Sequence, residues 1–398
     1  MNTVQKRKMK TIGIIGAGAG GLCALRQVLS EEQFTPLVWE QADEVGGTWI
    51  YTPDIEKDEY GYPIHSSMYK NLFPSVFKRY ADHFKLIPSI KFHHRVELVE
   101  PVDHNNRYTK WKITVKNLKD GSCSISECDA VIVCNGHYFK PRYPDIDDLE
   151  LFKGKKLHSH SYRIPDDYHG SKTVVLGASA SGLDIALELA KVAEKVYLSH
   201  NHPFPFPSKL PPNVFQVKGV KGAKENGFEL RDGTFIEADA IMYCTVEDNQ
   251  VKTLYKHMIN SAFPTMSFIG IPFQICPFPL FDVQVRYIIS AYCGKLLLPS
   301  KEVMEKDTSL EYESKISKGI SSHHLHKMGN AQWDYADELA EEAVLIPLPR
   351  VVSKIYLDCH YLRRSSLMFY KTNKYTLMED GSFKSSLRET DSEELLSI

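Results

Sequence analysis

No run of about 18 or more apolar residues occurs in the chain, so a membrane-spanning helix is not expected. Prolines break the stretch FIGIPFQICPFPLF, and Arg286 and Lys295 interrupt VQVRYIISAYCGKLLL. Eight cysteines are present with no Cys-x-x-Cys and no zinc-ribbon spacing, which fits reduced thiols in the cytosol. Excess charge is also lacking. Forty-eight Lys and Arg against 50 Asp and Glu leave a net charge of −2, which gives no electrostatic case for nucleic acid or an anionic membrane. One close cysteine pair, Cys123 and Cys128, lies in GSCSISECDAVIV, a turn leading into a strand. Their odd separation puts the two sulfurs on opposite faces of that strand, so ordinary buried thiols are expected rather than a redox pair. Cytoplasmic localisation follows, with peripheral attachment at the endoplasmic reticulum membrane and homo-oligomerisation left open.

At 398 residues the chain is long enough for two or three domains. The basic KRKMK followed by an apolar stretch imitates a signal peptide. The glycines in that stretch offer another explanation. TIGIIGAGAGGLCALRQVLSEEQFTPLVWEQ reads as a strand over 11–15, a glycine turn, a helix over 20–30 and a second strand ending at Glu40. Gly16, Gly18 and Gly21 supply G-x-G-x-x-G: a tight turn, a close backbone approach for a pyrophosphate, and close strand–helix packing. The free N–H groups of the helix favour phosphate. Glu40, 19 residues after Gly21, stands where an acid accepts hydrogen bonds from a ribose diol. Gly16, Ala17, Gly18, Ala19, Gly20, Gly21, Glu40 and Gln41 are therefore the expected first nucleotide site. In DEVGGTWIY, Gly46 and Gly47 permit a second close backbone approach, and Thr48 and Trp49 follow them. That segment reads otherwise as a turn and a core tryptophan.

A second unit, KTVVLGASASGLDIALELAKVAEKVYLSHN, repeats the design with a strand over 173–176, a helix to about 193 and a strand KVYLSH. Gly177, Ser179 and Gly182 hold the glycine spacing, and Ser181 lies between them. Ser199, His200 and Asn201 stand at the strand end with no carboxylate, which tolerates a 2′-phosphate and favours NADP over NAD. The halves also close alike. Asp120-Gly121 and Asp232-Gly233 each suggest a hairpin, and each is followed by Asp-Ala and a buried strand. The first closing strand ends at Asn135-Gly136, near the same ligand. Two dinucleotides in one chain suggest a flavin, FAD, reduced by a nicotinamide. The expected fold is α/β, with two Rossmann-like dinucleotide-binding domains. The NADPH domain (166–251) is inserted into a discontinuous FAD domain (1–165 and 252–398).

Between the halves, Phe152, Gly154, His158 and Tyr162 fit F-x-G-x-x-x-H-x-x-x-Y. With the two glycine motifs, this resembles the flavin-containing monooxygenases, in wording most like the insect branch. Related Baeyer–Villiger enzymes usually end the motif in Trp, so Tyr162 points to heteroatom oxygenation. The resemblance implies that NADPH reduces FAD and that reduced flavin takes up dioxygen as a C4a-hydroperoxide. Bound NADP+ shields that species, which oxygenates a soft nitrogen or sulfur centre. It implies a small-molecule amine or sulfide as substrate, N,N-dimethylaniline-type activity and a part in xenobiotic metabolism. His158 would be structural or near the cofactor, not a metal ligand. A helix beginning near Asp282 is placed to aim its dipole at reduced flavin, or else is a core helix behind a proline-rich loop.

Two departures from the family pattern stand out. Relatives continue the second closing strand with Thr-Gly-Tyr, whereas this chain runs Thr245-Val246-Glu247-Asp248. Relatives also carry a Thr-Asn motif whose asparagine contacts both flavin and NADP. In MYKNLFPSVFKRYADHF the nearest candidate for that catalytic position is Asn71, which reads also as a turn residue. Such losses are what a shortened isoform, a truncated gene model or a degenerate copy would show. They keep open an uncoupled NADPH oxidase and a non-catalytic nucleotide-binding protein beside the monooxygenase. Elsewhere, 300–317 and 331–343 read as charged surface helices and HYLRRSSLMFYKTNKY as a packed helix with a basic face. His323, His324 and His326 read as a solvated loop rather than a metal site.

Overall fold

The computed structural model describes residues 9–66, 74–136, 141–245 and 251–387, with the side chains at 74, 75 and 323 left out. Asn71, Val246, Glu247, Asp248 and the acidic tail from 388 onward lie outside the described residues. The chain opens with β1 (Lys10–Ile15), α1 (Ala19–Leu29), β2 (Phe34–Trp39), α2 (Pro74–His83) and β3 (Ile90–Lys91). β4 (His94–Pro101), β5 (Trp111–Asn117), β6 (Cys123–Cys128) and β7 (Ala130–Val133) follow. Next come β8 (Lys155–His158), β9 (Lys172–Leu176), α3 (Ala180–Leu189), β10 (Lys195–His200) and β11 (Val214–Lys218). β12 (Val220–Lys224), β13 (Gly227–Leu230), β14 (Phe235–Glu237) and β15 (Ala240–Tyr243) complete that part. The chain then forms β16 (Leu254–Tyr255), β17 (Ile259–Asn260), β18 (Met266–Phe268), α4 (Pro277–Tyr292), α5 (Lys301–Ser317) and α6 (Gln332–Glu342). It closes with α7 (Arg350–Ser365), β19 (Tyr375–Leu377) and β20 (Phe383–Ser385). Among the described residues no helix is long and apolar enough to cross a membrane.

Two compact units result: Met1–Phe139 with Asp248–Leu348, and Lys140–Glu247 with Pro349–Ile398. The second unit is inserted in the first, but its limits differ from the expected 166–251. β8 pairs with β15 in the second unit's sheet, which draws in the residues before 166. The last fifty residues also join it. The Leu367 N–H donates to Ser208 Oγ at 2.8 Å, and Lys371 pairs with Asp184 at 2.9 Å.

In the first unit a seven-stranded sheet has the order β16-β17-β18-β7-β1-β2-β3. β1 runs parallel to β2 and β7, and such doubly covered strands must be apolar: Ile12 and Ile14 are fully buried. The meander β4–β5–β6 packs Trp111, Ile113 and Val115 against Trp39 and Val131. Gly13 permits that approach, because a Cβ there would lie 2.9 Å from Ile113 Cδ1. In the second unit β11-β10-β9-β15-β8 form an all-parallel sheet, and β12–β14 form a separate antiparallel meander of their own. Both Asp-Gly pairs turn between antiparallel strands as expected, with Gly121 at φ +73° and Gly233 at φ +85°.

The repeated Asp-Ala has a plain cause. Asp129 accepts the Thr11 N–H at 2.8 Å and Asp239 accepts the Lys172 N–H at 2.7 Å, so each carboxylate ties its closing strand to the start of β1 or β9. Of the two thiols expected to be buried, Cys128 is, but Cys123 is exposed because it lies on the opposite, outward face of β6, and both are free.

Four expectations are corrected. α4 starts at Pro277, not near Asp282, since Pro favours the first helical position. Asp282 lies inside the helix, bound by Gln27 at 2.8 Å and Arg286 at 2.9 Å. α5 is a charged surface helix, but α6 buries Tyr335, Ala336, Leu339 and Ala340. HYLRRSSLMFYKTNKY is not one helix: α7 ends at Ser365, and Leu367 gives its N–H to Ser208 instead of a helical carbonyl. His326 is not solvated. It is fully buried, with Nδ1 2.8 Å from His257 Nδ1 and Nε2 3.1 Å from the Val251 backbone. His257 Nε2 in turn lies 2.9 Å from Glu311. Among the described residues no group of three His, Cys, Asp or Glu is placed to hold a metal.

Burial holds the His326 ring neutral, with its pKa pushed down to about 4 from an ordinary 6.5. The unfolded chain therefore binds more protons than the folded one between those values. Stability is complete above the unfolded value and is lost as pH falls toward the folded one. We expect the unfolding free energy to drop by about 2 kcal/mol between pH 7 and pH 5 through this residue. Urea unfolding across that range checks it, and His326→Leu should flatten the slope. A wild-type profile already flat would contradict a buried neutral ring.

Candidate functional site

Each glycine turn is built from two close contacts. Gly16 leaves β1 at φ +98°, and a Cβ there would sit 2.7 Å from the Cys134 carbonyl oxygen at the end of β7. A Cβ on Gly21 would fall on the Gly16 carbonyl, so only glycine lets α1 pack on the strand. Gly18 is the N-cap of α1, without a side-chain cap and with no acid in the first turn. The N–H groups there are left for an anion. Ala17, Ala19 and Gly20 line the same turn, with Gly20 packed on Ile269.

Glu40 sits at the end of β2, as expected. One carboxylate oxygen accepts the Ala17 N–H at 2.6 Å and the other the Ala42 N–H at 2.9 Å. Burial pushes this carboxyl up, and the Ala42, Ala17 and Gln41 amides pull it part of the way back. Each oxygen keeps a lone pair for one hydroxyl of a diol. The Gly46–Trp49 loop returns to the same turn. Gly46 N–H donates to Ala17 O at 3.1 Å, and Gly47, at φ +58°, has room for a Cβ only 3.3 Å from Gly18 Cα. Thr48 Oγ1 donates to Ser66 O at 3.0 Å. Trp49 is half-buried in an aromatic cluster with Phe77 at 6.1 Å and Phe278 at 6.3 Å. Phe278 opens α4, so the N-terminus of that helix adjoins the loop, although it starts earlier than expected. No spacing in the sequence joins these three rings.

One member of the expected set has a side chain committed elsewhere. The Gln41 amide is committed to Asp58 at 2.8 Å and Arg95 at 3.1 Å, so its side chain is not open to a nucleotide. Gly136 follows β7 at φ +73° with open space around it.

In the second unit Gly177 leaves β9 at φ +111°, and its Cβ would lie 2.6 Å from the Cys244 carbonyl oxygen. Gly182 packs on the Gly177 carbonyl as Gly21 does on Gly16. Ser179 caps α3 with no side-chain bond and no acid in the first turn, and Ser181 lies one residue inside. These groups again fit a pyrophosphate. At the end of β10 the expectation changes. Ser199 is fully buried and its Oγ donates to Lys218 O at 2.9 Å. His200 Nε2 lies 3.1 Å from Gln216 Oε1, and Nδ1 accepts the His202 N–H at 3.2 Å. Both side chains are spent inside the protein, because the loop after β10 folds back over β11.

The linking motif is structural at all four positions. Phe152 is buried against Phe228 at 4.5 Å, and a Cβ on Gly154 would strike the Asp239 carbonyl. His158 Nδ1 accepts the His160 N–H at 3.0 Å and Nε2 donates to Thr245 O at 2.9 Å. Burial pushes the pKa of this ring down, against its backbone hydrogen bonds. Tyr162 donates to Glu188 at 2.9 Å, which ties the linker to α3.

Comparison with known proteins agrees with this geometry. A family model for flavin-binding monooxygenase-like proteins matches residues 57–203, and one for NAD(P)-binding Rossmann-like domains matches 14–82. The chain is 33% identical to flavin-containing monooxygenase FMO GS-OX5 of Arabidopsis thaliana, covering 83% of this chain and 84% of the relative. It is 31% identical to FMO GS-OX-like 7 of the same plant, over 94% and 90% of the two chains. The solved structure of S-allyl-L-cysteine S-oxygenase from Allium sativum superposes with a TM-score of 0.80. The two are 28% identical over 91% of this chain and 95% of that one.

Proposed function

Because this chain belongs to the flavin-containing monooxygenases, we propose that it uses FAD and NADPH to insert one oxygen atom of dioxygen into a soft sulfur or nitrogen centre of a small molecule. The observation that carries the reading is the pair of glycine turns, each closed by its own carbonyl, Cys134 or Cys244. One suits the flavin nucleotide and the other the nicotinamide nucleotide. Bound FAD, reduced by NADPH, supplies the oxygen activation.

The chain's own residues hold and orient. The α1 N-terminus at Gly18 takes the FAD pyrophosphate, Glu40 accepts the ribose hydroxyls, and Gly46 and Gly47 let the backbone come close. Trp49 gives a flat wall. The α3 N-terminus at Ser179, with Ser181 beside it, takes the NADP pyrophosphate. Asn71 remains the proposed polar contact near the reaction. No acid–base triad is needed, since the residues here supply position and dryness. The name of the garlic relative makes a thioether the first substrate to test, with a tertiary aromatic amine second. Activity of both kinds fits xenobiotic metabolism.

The run Thr245-Val246-Glu247, without the family's Gly-Tyr, favours one second reading: an NADPH oxidase that releases hydrogen peroxide. Parallel assays of NADPH consumed, sulfoxide or N-oxide formed and peroxide released separate the two. A monooxygenase forms product in step with NADPH only when substrate is present. Peroxide matching NADPH whatever is added would establish the oxidase.

A further inference from the structure

We propose that Lys218, at the end of β11, reads the 2′-phosphate of NADPH; this rests on the assignment of the second unit to that cofactor. In a Rossmann unit the nucleotide's ribose lies at the end of the second strand, which here is β10. Two of the side chains there, those of Ser199 and His200, are already taken. Ser199 Oγ is bound to Lys218 O, and the two ring nitrogens of His200 are engaged by Gln216 and the His202 N–H. Burial pushes the His200 pKa down against the Gln216 bond, with His202 and Lys218 adding to the fall.

Lys218 is the positive group next in line. β10 and β11 are parallel, with His200 opposite Lys218 in register, so both end at the edge that also carries the Gly177 turn. Gly177 N–H donates to Ser199 O at 2.9 Å, which fixes β10 beside that turn. Residues at equal register share a face of the sheet, and the Lys218 charge acts on the His200 ring. Lys218 itself is exposed, and among the described residues its ammonium has no hydrogen-bond or ion-pair partner. The acid that feels its charge, Asp232, is held chiefly by Thr234, whose N–H donates to it at 3.0 Å. No carboxylate occurs from Ser199 through Lys218 to repel a phosphate. A lysine there acts as a point charge, so the selectivity it gives should weaken with salt.

The test is calorimetric binding of adenosine 2′,5′-bisphosphate and of 5′-AMP to the full-length flavoprotein. Wild type should prefer the bisphosphate, and Lys218→Gln should lower bisphosphate affinity about tenfold while leaving 5′-AMP binding unchanged. Lys218→Arg should keep the preference, and Lys209→Gln, farther along the loop, should not alter it. The NADPH-over-NADH ratio of kcat/KM should fall in Lys218→Gln through KM. A preference that survives Lys218→Gln would overturn the role of Lys218 and leave the NADPH assignment standing. A wild type that does not distinguish the two nucleotides would overturn both.

Discussion

Gly18→Ala should purify as a folded but colourless protein. Gly18 has φ −74°, which any residue adopts, and a Cβ there would meet Gly47 Cα at 3.6 Å, an ordinary contact. The apoprotein should therefore unfold within about 1 kcal/mol of wild type. The added methyl nevertheless lies at the N-cap of α1, where the proposed FAD pyrophosphate would approach the backbone. FAD affinity should fall at least about 100-fold, or roughly 2.7 kcal/mol. Flavin content and a fluorescence titration with added FAD measure it. The neighbouring change gives the contrast. Gly21→Ala drives a Cβ into the Gly16 carbonyl and should cost several kcal/mol of stability whether or not FAD is present, in the range of severe overpacking. A Gly18→Ala protein as yellow as wild type would mean that the pyrophosphate does not pass this turn.

Gly182→Ala should divide the two cofactors. Its Cβ would fall on the Gly177 carbonyl, forcing β9 and α3 apart at the proposed second nucleotide turn. The first unit has its own core around Ile12, Ile14, Leu25 and Ile288. The variant should hold FAD and be bleached by dithionite as wild type is. Bleaching by NADPH should slow at least about 100-fold, roughly 2.7 kcal/mol of lost binding. Loss of FAD along with NADPH response would contradict separate sites.

The parts of this fold that were legible in the sequence are those fixed by backbone sterics. Gly16, Gly21, Gly177 and Gly182 each answer to one carbonyl contact, so glycine spacing alone located both turns. The repeated Asp-Ala was visible as a pattern, but its cause, the carboxylate on the Thr11 or Lys172 N–H, needed the strands in register. Side-chain commitments were not legible. Ser199, His200 and Gln41 were expected to contact nucleotide, yet their polar atoms are used by partners far along the chain or in the next strand. Periodicity likewise could not show His326 buried, because its partner His257 lies 69 residues away in sequence, and His257 in turn pairs with Glu311, 54 residues on. The start of α4 was misplaced because a Pro-Phe-Pro run reads as loop, although proline suits the first turn of a helix.

The central claim is that this chain is a flavoprotein reduced by NADPH. Its most direct test is the visible absorption spectrum of the purified protein before and after anaerobic addition of NADPH. We expect a yellow protein whose flavin bands bleach with NADPH and return when air is readmitted. A colourless protein that takes up no added FAD, or a yellow one that NADPH leaves unbleached, would contradict it.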